Sequence, residues 1–253
     1  MKLSNITKRI IPIILFQEFQ VVKTIKFSKL RVIGNFEQTI ETFNIRDVDE
    51  IIILDIEASK KNYKINFDVL KSLSRNANMP FSFGGGVKTL NDVERILKNG
   101  ADKVVINNQA IKNLKFIEEA SRKFGKQCIV SAVDYKIDGD KFLLYSHSQK
   151  KTLDNDIFEY LKILEDSGAG EILLSSVDND GLMKGFEMEL IKKIHKTKIP
   201  IILSGGCGNP QHIKIAFENN VDAVAAGSVF YFSHFSYSDL KQYLFEHKQN
   251  IRF

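Results

Sequence analysis

One aspartate, Asp134, stands where it could serve as a general acid or base. It closes the apolar run VSAVD and is followed by KIDGDKF, whose Asp-Gly pair is a hairpin signal. If the run is a strand of a parallel barrel, the carboxylate faces the barrel mouth, where catalytic residues gather. Partial burial there raises the pKa of a carboxyl toward the range useful for proton transfer. A structural cap or a solvated carboxylate is the alternative role of such a lone residue.

Small residues at the ends of predicted strands form a second candidate for chemistry. They are Gly85, Gly86, Asn107, Asn108, Gly205, Gly206, Gly227 and Ser228. Glycine lets the backbone approach an anion closely, and the amides that open the next helix complete a phosphate cradle. The simpler interpretation is that these glycines only permit tight turns. Because the pairs recur in both halves of the chain at a fixed spacing, we favour phosphate binding. Two cradles suit a small molecule with a phosphate at each end.

Polar side chains at other predicted strand ends are candidates for substrate binding. They are Lys23, Asp55, Ser175, Ser176 and Asp180. Each could also be an ordinary solvated group. The SVDNDG segment imitates a calcium loop, but its first ligand would be a serine and it leaves a strand rather than a helix, so we reject calcium. The histidines and cysteines are too dispersed for a site, and we predict neither a metal nor another cofactor.

Four charged residues mark the opposite, N-terminal ends of predicted strands. They are Arg9, Glu50, Lys103 and Glu171. Two positive and two negative side chains could form a stabilising ion-pair cluster, which is the usual meaning of that face of a barrel. They could also form a gate to the barrel interior. The residues alone leave both roles open.

The elements that would position these residues follow from an alternation of short apolar runs with amphipathic segments. Eight nearly continuous apolar runs are typical of parallel strands buried on both faces. They cover residues 10–15, 50–55, 80–83, 103–107, 128–134, 171–176, 200–204 and 223–227. Helical stripes fill the gaps, for example after a capping-box pattern at Thr89 and after a cap at Asn209. We therefore predict an α/β fold, a single (β/α)8 TIM barrel over residues 1–253.

An internal repeat divides the predicted barrel. The segment PFSFGGGVKTLNDVERILKNGADKVVINN from Pro80 matches PIILSGGCGNPQHIKIAFENNVDAVAAGS from Pro200, at an offset of 120 without gaps. This spacing predicts two half-barrels, of about residues 1–122 and 123–253. The first strand of each half also aligns, and Leu15 is then the repeat partner of Asp134. If a reaction needs an acid and a base that face each other across the mouth, this chain has kept only one of them.

Composition and charge exclude several classes of protein. A chain of 253 residues with 43% hydrophobic and 26% charged residues predicts a soluble protein with a large core. Its 36 Lys and Arg residues against 31 Asp and Glu residues are scattered, so we predict no nucleic-acid partner. No stretch approaches the length of a membrane span, so we predict no membrane contact. Two distant cysteines favour reduced thiols and a cytoplasmic location.

Nearly the whole chain, from Arg9 to about Arg252, resembles the HisF family, the cyclase subunit of imidazole glycerol phosphate synthase. The motifs that carry the resemblance are RII, VVK, DEIIILDIEAS, FGGGV, GADKVVIN, VSAVD, GAGEILLSSVDNDG, SGG and SVF, in chain order. The resemblance implies a heterodimer with a separate HisH-like glutaminase, whose ammonia enters at the barrel bottom and crosses to a bisphosphate substrate at the top. It implies that the four charged residues above form the ammonia gate, and that Asp102 lies in the glutaminase-facing region.

The chain departs from the family's pattern at one catalytic position. Two aspartates, one per half-barrel, serve as acid and base in the family's cyclase. Asp134 matches one of them, Leu15 stands in place of the other, and Glu18 lies further along the loop. The first loop, LFQEFQVVKTIKF, is more similar to that of HisF-like proteins found with surface-polysaccharide genes. Those proteins work with a HisH-like glutaminase and a separate sugar amidotransferase to install acetamidino groups on nucleotide-linked sugars.

We therefore expect a HisF-like subunit that channels ammonia for glycosyl amidation in surface polysaccharide (lipopolysaccharide) biosynthesis. Its own cyclase activity is then lost or altered, because leucine cannot carry a proton. Two alternatives stay open. The retained phosphate cradles favour a working cyclase of histidine biosynthesis. A barrel without catalysis of its own, which scaffolds or activates the glutaminase, is the other.

Overall fold

The computed structural model describes residues 7–58, 61, 64–194 and 197–252. Its strands are β1 Arg9–Gln17, β2 Gln20–Lys23, β3 Arg31–Asn35, β4 Ile51–Asp55, β5 Phe81–Gly84, β6 Lys103–Ile106, β7 Ile129–Asp138, β8 Lys141–Ser146, β9 Lys151–Asp156, β10 Glu171–Ser176, β11 Ile201–Ser204 and β12 Ala223–Ala226. Its helices are α1 Phe36–Ile45, α2 Phe67–Asn76, α3 Leu90–Lys98, α4 Asn108–Lys112, α5 Lys115–Phe124, α6 Ile157–Asp166, α7 Met188–Lys193, α8 Pro210–Glu218, α9 Val229–Phe232 and α10 Tyr237–Glu246.

Eight of these strands close into a barrel. Strands β10, β11, β12, β1, β4, β5, β6 and β7 lie side by side in this order, and β7 pairs in turn with β10. All of these neighbours are parallel. The predicted (β/α)8 TIM barrel is therefore confirmed, and the observed strands differ from the predicted runs only at their ends.

The strands formed where predicted because they have no polar face. In β4, the consecutive residues Ile51, Ile52 and Ile53 are all fully buried. Ile52 packs with the residues inside the barrel, whereas its two neighbours pack with the surrounding helices. An apolar run of this kind suits a strand that is covered on both sides.

The barrel interior contains an apolar column separate from the outer core. Its buried members are Ile11, Ile52, Val105, Val130, Ala132, Leu173, Ile202, Ala223 and Ala225. Gly84 belongs to the wall of the same column, since a Cβ there would lie 2.7 Å from the Cβ of Val105. The column joins the charged bottom of the barrel to its polar mouth.

Helix starts follow the predicted capping patterns. At α3, Thr89 Oγ1 accepts from Asp92 N at 3.1 Å, and Asp92 Oδ2 accepts from Thr89 N at 2.9 Å. At α8, Asn209 Oδ1 accepts from His212 N at 3.1 Å, and Pro210 stands in the first turn. Within the described ranges, no helix is both long and apolar enough to cross a membrane.

Two hairpins rise from the barrel at its mouth. The first strand of the second half, β7, continues past Asp134 and turns into β8, with Asp138 opposite Lys141, as the Asp-Gly pair predicts. The first strand of the first half, β1, turns back into β2, which pairs with β3. The sequence did not predict β2 and β3. The buried part of β2 is only three residues long and no residue of β3 is buried, so neither strand gives the signal of a long buried run.

The repeat is also visible in individual contacts. Phe81 N donates to Asp102 Oδ2 at 2.9 Å, and Ile201 N donates to Asp222 Oδ2 at 3.1 Å. Both residues of the second contact lie 120 positions after their counterparts in the first. Each contact joins the first residue of a barrel strand to the aspartate that precedes the next barrel strand. The single-domain organisation and the half-barrel boundary near residue 122 stay predictions.

Candidate active site

A cavity opens at the C-terminal ends of the barrel strands. Its volume is about 1500 Å³ including the open mouth, and all eight barrel strands or the loops after them contribute to its wall. It is lined by the following predicted site residues: Lys23, Asp55, Gly85, Gly86, Asn107, Asn108, Asp134, Ser175, Asp180, Gly205, Gly206, Gly227 and Ser228. The structure thus gathers at one place most of the residues that the sequence singled out.

Asp134 is the carboxylate whose environment is most altered. It is buried in the cavity wall, and Asn107 Nδ2 donates to its Oδ2 at 2.9 Å. Burial raises the pKa of Asp134 to about 7; the Asn107 hydrogen bond opposes this rise and the charge of Asp180 adds to it. A carboxyl that titrates near neutral pH can both accept and release a proton during a reaction.

This pKa makes the stability of the protein depend on pH. The pKa of Asp134 rises on folding from 3.8 to about 7, so its stabilising contribution is lost as the pH rises from about 4 to about 7. We expect Asp134→Asn to remove this loss. At pH 8 the free energy of unfolding of the variant should exceed that of the unmodified protein by roughly 2–4 kcal/mol, and at pH 4 the two should be similar. Urea unfolding of both proteins at the two pH values measures this difference; a difference independent of pH would contradict a raised pKa.

Lys23 is a buried cation at the edge of the cavity. Its Nζ donates to Ile13 O at 2.9 Å and lies 5.3 Å from the centre of the Tyr231 ring. Burial lowers the pKa of Lys23 to about 8, although the charge of Asp180 opposes this fall. A side chain at Gly227 would overlap the Lys23 ammonium, so this ammonium borders the Gly227–Ser228 backbone. An anion bound there would meet a positive charge as well as backbone amides.

Asp180 holds the first loop against the cavity mouth. Its Oδ2 accepts from Thr24 Oγ1 at 2.6 Å and from Phe27 N at 3.2 Å. The Phe27 ring packs edge-on against Tyr145 in β8 and against His147, which follows β8. The ring centres are 6.5 Å and 5.7 Å apart. Burial raises the pKa of Asp180, against the effect of its hydrogen bonds and of the Lys23 charge. Asp180 is therefore a positioning residue for the loop as well as part of the cavity wall.

The glycines after β5 and β11 are required by close approach of the backbone. Gly85 has φ 110° and Gly205 has φ 92°, values that favour glycine. A Cβ at Gly85 would overlap the carbonyl oxygen of Asp55, and one at Gly205 would lie 2.6 Å from that of Ser176. Tight packing against the neighbouring strand thus explains these glycines without a ligand, and their role in phosphate binding stays a proposal.

The asparagines after β6 offer groups that the protein itself does not use. The Oδ1 atoms of Asn107 and Asn108 are buried and accept no hydrogen bond among the described residues. Buried polar atoms without a partner are uncommon in folded proteins. Both residues line the cavity, so a ligand with N–H or O–H donors could satisfy them there.

Two of the predicted substrate-binding residues have structural roles. Asp55 lines the cavity, but its Oδ1 accepts from Glu57 N at 2.9 Å and from Ala58 N at 3.0 Å and thereby caps the turn after β4. Ser176 does not line the cavity; its Oγ accepts from Asn179 N at 3.3 Å. Successive strand residues point to opposite sides, so Ser175 faces the mouth and Ser176 faces away from it.

Leu15 lines the cavity on the side opposite Asp134. Strands β1 and β7 are four positions apart in the ring of eight, which sets their two side chains across the mouth from each other. Glu18 does not take the place of Leu15. It is exposed in the tight turn between β1 and β2, with φ 56°, and its charge acts on Lys61.

At the other end of the barrel, the four predicted charges form a closed ring. Arg9 lies 2.8 Å from both Glu50 and Glu171, and Lys103 lies 3.0 Å from both. Each residue therefore contacts two of opposite charge. The side chains are between 11% and 23% exposed, so the ring sits at the rim of the apolar column rather than deep inside it. Asp102 is exposed at the same end.

Comparison with known proteins places this architecture in a family. A family model described as "Histidine biosynthesis protein" matches residues 9–236. A Campylobacter jejuni protein named "Putative imidazole glycerol phosphate synthase subunit hisF2" is 42% identical over 237 residues, which cover 93% of this chain and 94% of that protein. The imidazole glycerol phosphate synthase subunit HisF of Bacillus subtilis is 39% identical over 251 residues, which cover 98% of this chain and 100% of that protein.

This chain belongs to the HisF family. The resemblance inferred from the sequence motifs is therefore confirmed. Within this HisF-family chain, the structure adds Thr24 and Phe27 to the candidate site, which no motif had indicated. Among the residues that the structure describes, no group of three or more His, Cys, Asp or Glu side chains could hold a metal ion, and Cys128 and Cys207 form no disulfide.

Proposed function

We propose that this HisF-family chain receives ammonia from a HisH-like glutaminase and carries it through the barrel. The ammonia then serves glycosyl amidation, the formation of acetamidino sugars in surface polysaccharide biosynthesis in the cytoplasm. The observation that carries the proposal is Leu15. It lines the cavity opposite Asp134, where an acid–base pair would need its second carboxyl. The nitrogen then leaves the barrel mouth for a separate sugar amidotransferase.

The ammonia path is supported by the two ends and the middle of the barrel. The ring of Arg9, Glu50, Lys103 and Glu171 lies at the bottom end of the interior column. Above it, the interior column is made of aliphatic side chains and three alanines. A mainly aliphatic interior suits neutral ammonia and limits the access of water, which would protonate it. Ser82, buried at the level of Ile52, adds one hydroxyl to this interior. The glutaminase would dock on this bottom face, around the exposed Asp102.

The loss of cyclase chemistry follows from the missing proton carrier. A positioned acid or base contributes about 10²- to 10⁴-fold to the rate of a proton transfer. Asp134, with its pKa near 7, can supply one such group but cannot act from both sides of the substrate at once. We therefore expect slow turnover of a substrate that needs both.

A second candidate function is a working imidazole glycerol phosphate synthase cyclase in histidine biosynthesis. The polar cavity favours it, since a pure conduit needs neither the buried Lys23 ammonium nor the unused Asn107 and Asn108 oxygens. The phosphate of a ligand would suit the Lys23 ammonium, and hydroxyl or N–H groups of the same ligand would suit the two oxygens. A scaffold that only activates the glutaminase, the third candidate, has no such observation in its favour.

The proposal is tested by assaying the purified chain with its glutaminase, or with ammonium alone, on the bisphosphate precursor of the cyclase reaction. We expect imidazole product at a rate at least 10²-fold below that of a HisF relative assayed in parallel. The relative serves as the positive control for substrate and ammonia. Product at a comparable rate would contradict the proposal and support the cyclase of histidine biosynthesis.

A further inference from the structure

Two members of the charged ring stand on neighbouring strands, below the point where the ladder between those strands begins. Arg9 is the first residue of β1, and Glu50 directly precedes β4. The ladder between β1 and β4 begins at Ile13 and Ile52. Pro12, which precedes Ile13, has no N–H with which to extend this ladder downward. Arg9 and Glu50 must therefore be fixed relative to each other by other contacts.

The hydroxyl of Tyr237 joins the two strands below this point. It donates to Ile10 O at 3.1 Å and accepts from Asp49 N at 3.3 Å. These two partners are the chain neighbours of Arg9 and Glu50. The Arg9 N–H donates toward the β12 side, so the carbonyl of the next residue points toward β4, where the hydroxyl meets it. One side-chain group thus bridges the strands where their ladder has ended.

Tyr237 is itself held in place. It is the first residue of α10 and only 1% exposed. The helix start is fixed by a capping box, in which Asp239 N donates to Ser236 Oγ at 3.1 Å and Ser236 N donates to Asp239 Oδ2 at 2.7 Å. Asp49 Oδ2, 3.1 Å from the hydroxyl, competes for the same proton but already pairs with Lys241 Nζ at 2.9 Å. Burial raises the pKa of Tyr237, so the hydroxyl keeps the proton that it donates.

We infer that Tyr237 is a positioning residue for the charged ring, because its hydroxyl fixes the backbones that carry Arg9 and Glu50 relative to each other. The inference rests on the proposed function, since it assumes that ammonia enters through the ring. Arg9 and Glu50 are 2.8 Å apart, and a hydrogen-bonded ion pair of this length depends steeply on geometry. If the two strand starts shift apart, the ring opens at this contact and ammonia escapes before it enters the barrel.

The test replaces Tyr237 by phenylalanine, which removes the hydroxyl and keeps the ring. The full chain is assayed with its glutaminase and a sugar amidotransferase from the same genome, with ATP and the nucleotide-linked sugar. We expect the ratio of acetamidino product to glutamine hydrolysed to fall at least twofold, with ammonium-dependent amidation unchanged. Tyr160→Phe is the matched control and should keep the ratio of the unmodified chain. The Tyr160 hydroxyl is also buried, but it has no hydrogen-bond partner among the described residues.

Amide hydrogen exchange of the full chain gives a second readout, which does not depend on amidation. In Tyr237→Phe the Asp49 N–H loses its acceptor, so we expect it to exchange at least tenfold faster than in the unmodified chain. The amide of Leu54, inside the ladder between β1 and β4, should exchange at an unchanged rate. A fall in the coupling ratio without faster exchange at Asp49 would contradict the inference, because the effect would then not pass through the bridge.

The outcomes separate this inference from the function on which it rests. If the unmodified chain supports no glutamine-dependent amidation, the proposed function fails and the inference falls with it. The same holds if Glu171→Gln, which breaks the ring directly, leaves the coupling ratio unchanged. If Glu171→Gln lowers the ratio and Tyr237→Phe does not, the inference alone is wrong. Lower stability of Tyr237→Phe with an unchanged ratio would make Tyr237 an anchor of α10 and no more.

Discussion

Replacing Leu15 by aspartate is expected to raise ammonium-dependent imidazole formation by about 10²- to 10⁴-fold, the contribution of a positioned acid or base. The position is suitable because Leu15 lines the cavity and faces Asp134 from the opposite strand. A carboxyl there would restore a pair with one member in each half-barrel. The measurement is the steady-state rate on the bisphosphate precursor with ammonium as the nitrogen source.

Leu15→Asn is the matched control for this substitution. Asparagine is as large as aspartate and polar, but it cannot exchange a proton at neutral pH. The rate of this variant should therefore stay at that of the unmodified chain. If Leu15→Asp binds the substrate but gains no rate, the missing acid is not what limits the reaction. The cavity would then differ from a cyclase site in more than this residue.

Glu171→Gln should uncouple glutamine hydrolysis from amidated product. Glu171 contacts both cations of the ring, Arg9 at 2.8 Å and Lys103 at 3.0 Å, so its neutralisation opens the ring at two points. We expect the ratio of product formed to glutamine hydrolysed to fall several-fold. Stability should fall by about 1–3 kcal/mol, between the values for exposed and for buried ion pairs, because the side chains are partly exposed.

Glu94→Gln is the control for the ring variant. Glu94 also pairs with two cations, Lys98 and Lys123, but on the outer surface of the helices. It should change neither the coupling ratio nor, measurably, the free energy of unfolding, because exposed ion pairs contribute little. If Glu171→Gln lowers stability and leaves the coupling ratio unchanged, the ring is a stabilising ion-pair cluster and not a gate.

The barrel could be predicted from the sequence because its signal is local. Runs such as Ile51–Ile53 have no polar face, and the offset between Pro80 and Pro200 repeats a pattern of glycines and aspartates that survives in the hydrogen bonds of Asp102 and Asp222. The gathering of Asp134 and the glycines at one mouth follows from parallel strands, whose C-terminal ends meet at the same edge.

Other features of the site depend on contacts between distant segments. Thr24 and Asp180 are 156 residues apart, and nothing in either segment indicates that the Thr24 hydroxyl will reach the Asp180 carboxylate. The burial of Lys23, which lowers its pKa, comes from the packing of β2 against the barrel. The sequence did not predict this burial either. The orientation of Ser176, by contrast, could have been predicted from the sequence. Side chains alternate along a strand, and because Leu173 and Ser175 face inward, Ser176 must face away from the cavity.

The destination of the ammonia nitrogen is the central claim, and a competition experiment measures it directly. The chain, its glutaminase and a sugar amidotransferase from the same genome are incubated with ATP and with glutamine labelled with ¹⁵N in the side-chain amide. ATP is included because ammonia displaces the acetamido oxygen only after that oxygen has been activated as a leaving group. The nucleotide-linked sugar and the bisphosphate precursor are both present, and the products are separated by mass spectrometry. We predict that the label appears in the acetamidino sugar, with little in imidazole glycerol phosphate. Label mainly in imidazole glycerol phosphate would contradict the account and make this chain a cyclase despite Leu15.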